Sequence, residues 1–111
     1  MSEADKRQID RRKKRLMVRY GLEKLERSAF TQNISETGLA VRTNQVFRPG
    51  TTLQIRIEFP DRSFDLWARV VWAKKVPPQL AHILPCGMGF RYLDPPLEFL
   101  EFYLSWEASL G

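Results

Sequence analysis

A run of five basic residues at positions 11–15 carries the side chains that bind anionic groups most specifically. Arg11 and Arg15 are separated by three residues, and the run adjoins an apolar segment that begins at Leu16. The guanidinium group is a planar fork of donors that matches phosphate oxygens and the O6/N7 edge of guanine, and it stacks on aromatic rings. A short basic cluster is also typical of a solvated or weakly nucleic-acid-binding segment. The run alone leaves both interpretations open.

A second polar stretch, NISETG at residues 33–38, follows a predicted strand. Asn33 and Ser35 are two residues apart, so they share one face of an extended chain. Gly38 is expected to adopt the positive φ that a tight return requires. The alternative interpretation is a polar turn that is closed by its own side-chain hydrogen bond and has no ligand.

Few other residues could carry chemistry. Trp67 and Trp72 differ by five positions, which predicts opposite faces of an ideal strand. We expect Trp72 to pack in the core, with a contact to a ligand as the alternative. The chain has one histidine, His82, and one cysteine, Cys86, which are too few for a structural zinc site or an internal disulfide. We therefore expect no enzyme activity, no cofactor and no metal.

The elements that must position these residues are mostly strands. Six short segments rich in β-branched and aromatic residues, separated by turn residues, predict a small antiparallel barrel or sandwich over residues 16–93. They cover residues 16–25, 29–34, 39–43, 51–59, 64–76 and 87–93. The fourth alternates most clearly, because its apolar residues all fall on one face: Leu53, Ile55, Ile57 and Phe59.

Residues 94–111 change to a helical pattern and predict a C-terminal amphipathic helix. Asp94 is the expected N-cap, with Pro95 at the first helical position. At about 100° per residue, one stripe of the helix is apolar. It consists of Phe99, Phe102, Tyr103, Trp106 and Leu110. This stripe predicts docking on the open end of the barrel, with a homodimer through the helix as the alternative.

The length, hydropathy and charge of the chain indicate how many domains it forms, where it is located and what class of partner it binds. The 111 residues suffice for one domain. No apolar run approaches the roughly 20 residues of a membrane helix and the polar N-terminus does not look like a signal peptide, so we expect a cytoplasmic protein. The net charge is +5, and residues 1–27 hold ten Lys/Arg against five Asp/Glu. We expect residues 1–15 to form a flexible basic segment that meets an anionic partner.

Together, the two polar stretches resemble the motifs of the PilZ domain family, bacterial receptors for cyclic di-GMP. That family has an RxxxR motif just before its first strand and a [D/N]xSxxG motif between its second and third strands. Here they are RRKKR at 11–15 and NISETG at 33–38. The segments ARVVWAKK and GMGFRYL also look like family strands, so the resemblance covers nearly the whole chain. It implies an all-β fold with a C-terminal helix, namely a six-stranded antiparallel barrel of the PilZ type.

The resemblance also implies a function, a receptor that changes conformation when cyclic di-GMP binds and signals to a downstream protein partner. The ligand-binding residues that it implies are Arg11, Arg15, Asn33, Ser35 and Gly38. Possible additional contacts are Arg7, Arg12 and Trp72. Two alternatives remain open at this point: a small barrel that binds single-stranded nucleic acid through its basic front, and a PilZ-like interaction domain without a ligand.

Overall fold

The computed structural model describes residues 15–110, which form six strands, a short 3-10 helix and one α-helix. The strands are β1 (Met17–Gly21), β2 (Arg27–Ile34), β3 (Gly38–Arg42), β4 (Thr52–Glu58), β5 (Ser63–Lys74) and β6 (Gly87–Leu93). The 3-10 helix is Pro78–Leu80, and the α-helix, α1, is Leu97–Leu110. The predicted fold class, an antiparallel six-stranded barrel with a C-terminal helix, is confirmed.

The six strands form a closed barrel in the order β1-β2-β3-β6-β5-β4, and each neighbouring pair is antiparallel. The alternation of β4 explains its place in this barrel, because Leu53, Ile55 and Ile57 are completely buried while the residues between them are partly exposed. Closure leaves no unpaired sheet edge in this order of strands. The inward side chains of all six strands therefore share one core, and the outward side chains are free to form a binding surface.

Helix α1 packs against the barrel core through aromatic side chains. The residues of the helix that make this contact are Phe99, Phe102, Tyr103 and Trp106. Two of them contact Phe59, whose ring centroid lies 4.8 Å from that of Phe102 and 5.0 Å from that of Trp106. Docking on the barrel leaves Leu97 and Leu104 as the exposed large apolar residues of α1, and the homodimer stays a prediction. Within residues 15–110, no helix is long and apolar enough to cross a membrane.

The start of α1 differs from the prediction. Asp94 has a φ of 48°, in the left-handed region, and the helix begins at Leu97. The backbone N–H groups of Phe99 and Leu100 donate to the carbonyl of Pro96 at 3.0 and 3.3 Å. A residue that precedes proline is driven out of the α region, which applies to Asp94 and again to Pro95. The two consecutive prolines therefore delay the helix, and Asp94 is not its N-cap.

Candidate ligand-binding face of the barrel

Asn33 faces solvent because β2 contains a β-bulge. Thr31 pairs with Val41 and Asn33 pairs with Ala40, so Gln32 is an extra residue between the two pairs. In a regular strand Thr31 and Asn33 would share a face, yet Thr31 is buried and Asn33 is exposed. Within residues 15–110 the Asn33 side chain has no hydrogen-bond partner. Its amide is free to donate to and accept from a ligand.

Trp72 faces solvent for the same reason, and the prediction that it packs in the core is wrong. Val70 pairs with Phe90 and Trp72 pairs with Gly89, so Val71 is the extra residue of a second bulge, in β5. The bulge changes the alternation of the strand, and Trp72 is 42% exposed. Trp67 is also on the outer surface, 52% exposed, so the two tryptophans share the outer side of the barrel.

The two bulges bring Asn33 and Trp72 to opposite ends of one row across the outer wall. Asn33 pairs with Ala40, Ala40 with Gly89 and Gly89 with Trp72, on four successive strands. We call these four residues the central row. At about 4.8 Å between strands, the row spans roughly 14 Å. A Cβ on Gly89 would lie 2.1 Å from Nε1 of Trp72, so the indole rests directly on the Gly89 backbone.

The central row is the floor of an open cleft of about 410 Å³. Besides the row, the cleft is lined by the turn after β2 and by one basic residue. These further residues include Ser35, Thr37, Gly38 and Arg91. A cleft with a flat indole at one end, a free amide at the other and a small-residue floor between them suits a planar, hydrogen-bonding ligand.

Ser35 closes the turn that borders the cleft. Its Oγ accepts hydrogen bonds from the backbone N–H groups of Thr37 and Gly38 at 3.2 and 3.3 Å, and its own N–H donates to the Gly38 carbonyl at 2.8 Å. This is the side-chain-closed turn that the spacing predicted as the alternative to a ligand site. The same turn lines the cleft, so Ser35 holds in place the backbone that a ligand would meet.

Gly38 is required for a different reason than predicted. Its φ is not in the left-handed region, which among the described glycines is adopted by Gly50. A Cβ on Gly38 would instead lie 2.2 Å from the backbone carbonyl oxygen of Phe90. The absence of a side chain therefore allows the first residue of β3 to approach β6 closely.

Two buried tyrosines fix the backbone before this turn. The hydroxyl of Tyr92, on β6, donates to the carbonyl of Ser35 at 3.0 Å, and that of Tyr103, on α1, donates to the carbonyl of Ile34 at 3.0 Å. Burial raises the pKa of both phenols well above the ordinary value for tyrosine. Both hydroxyls consequently keep their protons and remain donors at any physiological pH.

Arg15 does not line the cleft. Its guanidinium carbon is 4.3 Å from the centre of the Phe30 ring, on the outer face of β2. Leu16 and Thr31 exchange two hydrogen bonds of 2.9 Å, which set the start of β1 against β2 at the edge of the bulge. Arg15 is therefore at the end of β1 that adjoins the bulge leading to Asn33. Three further predicted contacts lie outside the described residues: Arg7, Arg11 and Arg12.

A family model described as the PilZ domain matches residues 5–103 of the chain. The chain belongs to the PilZ domain family. A search of curated proteins gave no match. Among solved structures, this PilZ domain is similar to the Bacillus subtilis inhibitor of motility, with 22% sequence identity and a TM-score of 0.71 over 86% of this chain. The chain spans 46% of the length of that protein, and the likeness shows a shared fold.

Both motifs lie within the matched residues of this PilZ domain. The structure brings part of the predicted set of ligand-binding residues together. Asn33, Ser35 and Gly38 line one cleft with Trp72, while Arg15 stacks on Phe30 outside the lining. In residues 15–110 no three His, Cys, Asp or Glu side chains gather as a metal site would need.

The cleft of the PilZ domain also contains a residue that sequence reasoning missed, Arg91. A signal for it was present in GMGFRYL, because simple alternation from Gly87 and Gly89 places Arg91 on the same face as the two glycines. Glycines on the outer face of a strand mark a place where something approaches the backbone closely.

Proposed function

We propose that this PilZ domain is a receptor for cyclic di-GMP that has no catalysis of its own and signals to a protein partner. The observation that carries the proposal is the position of Asn33, the Ser35 turn, Gly38 and Trp72 around one cleft on the outer wall. Cyclic di-GMP presents two guanine bases and two phosphodiesters; the cleft offers partners for the bases, and the RxxxR motif offers partners for the phosphates.

The chemistry of the cleft supports this assignment group by group. The indole of Trp72 offers a face on which a base can stack. The free amide of Asn33 can bind the donor and acceptor edge of guanine. The arginine forks of the RxxxR motif, Arg11 and Arg15, match phosphate oxygens and guanine O6/N7, and Arg15 already lies beside the bulge.

Calorimetric titration with cyclic di-GMP tests the proposal. Wild-type protein should bind saturably at micromolar ligand, and Asn33→Ala and Arg15→Ala should each weaken binding about tenfold or more, because each removes hydrogen bonds to the ligand. Ser28→Ala is the matched control, since Ser28 is an exposed residue of the same strand outside the cleft lining. An absence of saturable binding, or Asn33→Ala and Arg15→Ala that bind like Ser28→Ala, contradicts the proposal.

A second candidate function rests on aromatic residues outside the cleft lining. Phe30 is 42% exposed and Trp67 is 52% exposed, and such side chains can stack the bases of single-stranded nucleic acid on a basic protein. In that case oligonucleotides of any sequence would bind with a steep dependence on salt. Trp67→Ala would then weaken binding and Asn33→Ala would have no effect. If the domain binds neither cyclic di-GMP nor oligonucleotides, the remaining interpretation is a PilZ-like interaction domain without a ligand.

A further inference from the structure

Two arginines that belong to neither motif face each other next to the central row. Arg69 on β5 pairs with Arg91 on β6, and Arg91 pairs on its other side with Gly38. Both side chains are exposed on the outer wall. Like charges that are directly opposite on neighbouring strands destabilise a sheet. The pair therefore has an electrostatic cost in the free protein that an anionic ligand would relieve.

Two other arginines of the outer wall, Arg19 and Arg56, form ion pairs with acids. Arg19 binds Glu58 at 2.5 Å, and Arg56 binds both oxygens of Asp65 at 2.6 and 3.0 Å. The Arg56 fork holds the pKa of Asp65 below its ordinary value. In contrast, no acidic side chain of residues 15–110 lies within ion-pair distance of Arg69 or Arg91. Both arginines next to the central row therefore lack an acidic partner among these residues.

The position of Arg91 relative to the central row fits a phosphate attached to a stacked base. Arg91 lines the cleft and lies two residues along β6 from Gly89, on which the Trp72 indole rests. Two residues of a strand span roughly 6.6 Å, which an arginine side chain can reach across. Arg69 adjoins the same point from β5 and adds a second positive charge.

We propose that Arg91, supported by Arg69, forms an anion subsite that binds a phosphodiester of the dinucleotide. This inference rests on the proposed function, since it assigns a further contact to the same ligand. Arg91 and Arg69 belong to neither motif, and they lie on the opposite side of the central row from Arg15 and Phe30, so the ligand would be bound from both sides of the row.

Calorimetry with cyclic di-GMP on single variants at two salt concentrations tests the subsite. Arg91→Gln should weaken binding about 10- to 100-fold, as expected for loss of a charge-assisted hydrogen bond, and should reduce the dependence on salt. Arg69→Gln should weaken binding less. Arg56→Gln, which removes the same charge from the outer wall, is the control and should bind within about twofold of wild type. The melting temperature of Arg91→Gln should equal or exceed that of wild type because a repulsive pair is removed.

The outcomes separate the subsite from the proposed function. If wild type binds, Asn33→Ala weakens binding and Arg91→Gln binds like Arg56→Gln, the subsite is wrong and the receptor function stands. If wild type does not bind, the receptor function and the subsite are both wrong. If Arg91→Gln weakens binding only as far as it lowers the melting temperature, Arg91 has a structural role and the subsite is again wrong.

Discussion

The hydroxyl of Tyr103 donates a hydrogen bond of 3.0 Å to the backbone carbonyl of Ile34, 69 residues earlier in the chain. Ile34 is the last residue of β2 and precedes the Ser35 turn, so this bond joins the C-terminal helix to the edge of the cleft. Tyr92 adds a second bond, to Ser35, from β6. A displacement of the turn by a ligand would therefore act directly on α1, a surface element that a partner can contact.

Removal of the Tyr103 hydroxyl should weaken both the fold and the site. Tyr103→Phe leaves a buried carbonyl without its donor, so the free energy of unfolding should fall by about 1–2 kcal/mol. Tyr20→Phe is the matched control, because the Tyr20 hydroxyl bonds to Thr43 and the carbonyl of Gln45, which do not line the cleft. Denaturant unfolding and calorimetry should show that both variants lose stability and that Tyr103→Phe also binds cyclic di-GMP more weakly. Equal affinities for the two variants would contradict a link between helix and cleft.

The three tyrosines should give the protein a stability that falls above about pH 10. Burial raises the pKa of Tyr20, Tyr92 and Tyr103 in the folded state above the ordinary value of 10.0. Above that pH the unfolded chain releases its phenolic protons first, so unfolding becomes easier by about 1.4 kcal/mol per pH unit per tyrosine. Below pH 10 both states hold the protons and this effect vanishes.

Absorbance at 295 nm and urea unfolding at several alkaline pH values measure this effect. In the folded protein, the phenolate absorbance of Tyr92 and Tyr103 should appear together with unfolding and not near pH 10. Tyr92→Phe should have a shallower loss of stability with pH than wild type, by about the contribution of one tyrosine. Phenolate absorbance that develops at pH 10 in folded protein would show that these hydroxyls are open to solvent.

Two glycine substitutions should separate folding from binding. Gly38→Ala places a Cβ 2.2 Å from the Phe90 carbonyl oxygen, and backbone cannot move aside cheaply, so thermal unfolding should occur at a clearly lower temperature. Gly89→Ala meets the Trp72 side chain, which can rotate away. Gly89→Ala should therefore keep most of its stability and lose affinity for cyclic di-GMP, because the indole no longer lies on the floor of the cleft. A Gly89→Ala variant with wild-type affinity would argue against stacking on Trp72.

Tryptophan fluorescence should report ligand binding through Trp72. Stacking of a guanine on the exposed indole should change the emission of wild-type protein during a titration with cyclic di-GMP. Trp72→Phe should lose most of that change, while Trp67→Phe should retain it, since Trp67 is equally on the surface but outside the cleft lining. A change that disappears in Trp67→Phe and persists in Trp72→Phe would place the ligand elsewhere.

Much of the barrel could be predicted because its strands obey simple rules. The apolar alternation of β4 gave its buried face, and the turn residues around GMGFRYL gave the bounds of β6, Gly87–Leu93. The helix was expected from its apolar stripe, but its start at Leu97 depended on the effect of two consecutive prolines on the residues before them. Rules that treat each element alone therefore located the strands and the helix. They did not predict how the residues before the helix change the position at which it begins.

The candidate site was harder to predict because it depends on pairing between strands. The extra residues Gln32 and Val71 can be recognised only from the partners of their neighbours across the sheet. For that reason the exposure of Trp72 was missed. The steric need for Gly38 likewise comes from Phe90, which is distant in sequence. The motif residues themselves were found because their spacing is local.

The bulges at Gln32 and Val71 are places where the outer face of the barrel can tolerate the loss of one residue. Within β2 and within β5, the residues before the bulge and the residues after it follow opposite alternations. Deletion of the extra residue would leave a strand of regular alternation, in which Asn33 still pairs with Ala40, or Trp72 with Gly89, and still faces outward. Loss of a residue from a regular part of β2 or β5 would instead exchange inside for outside along the rest of that strand, so the outer face is less tolerant of deletions there than at positions 32 and 71.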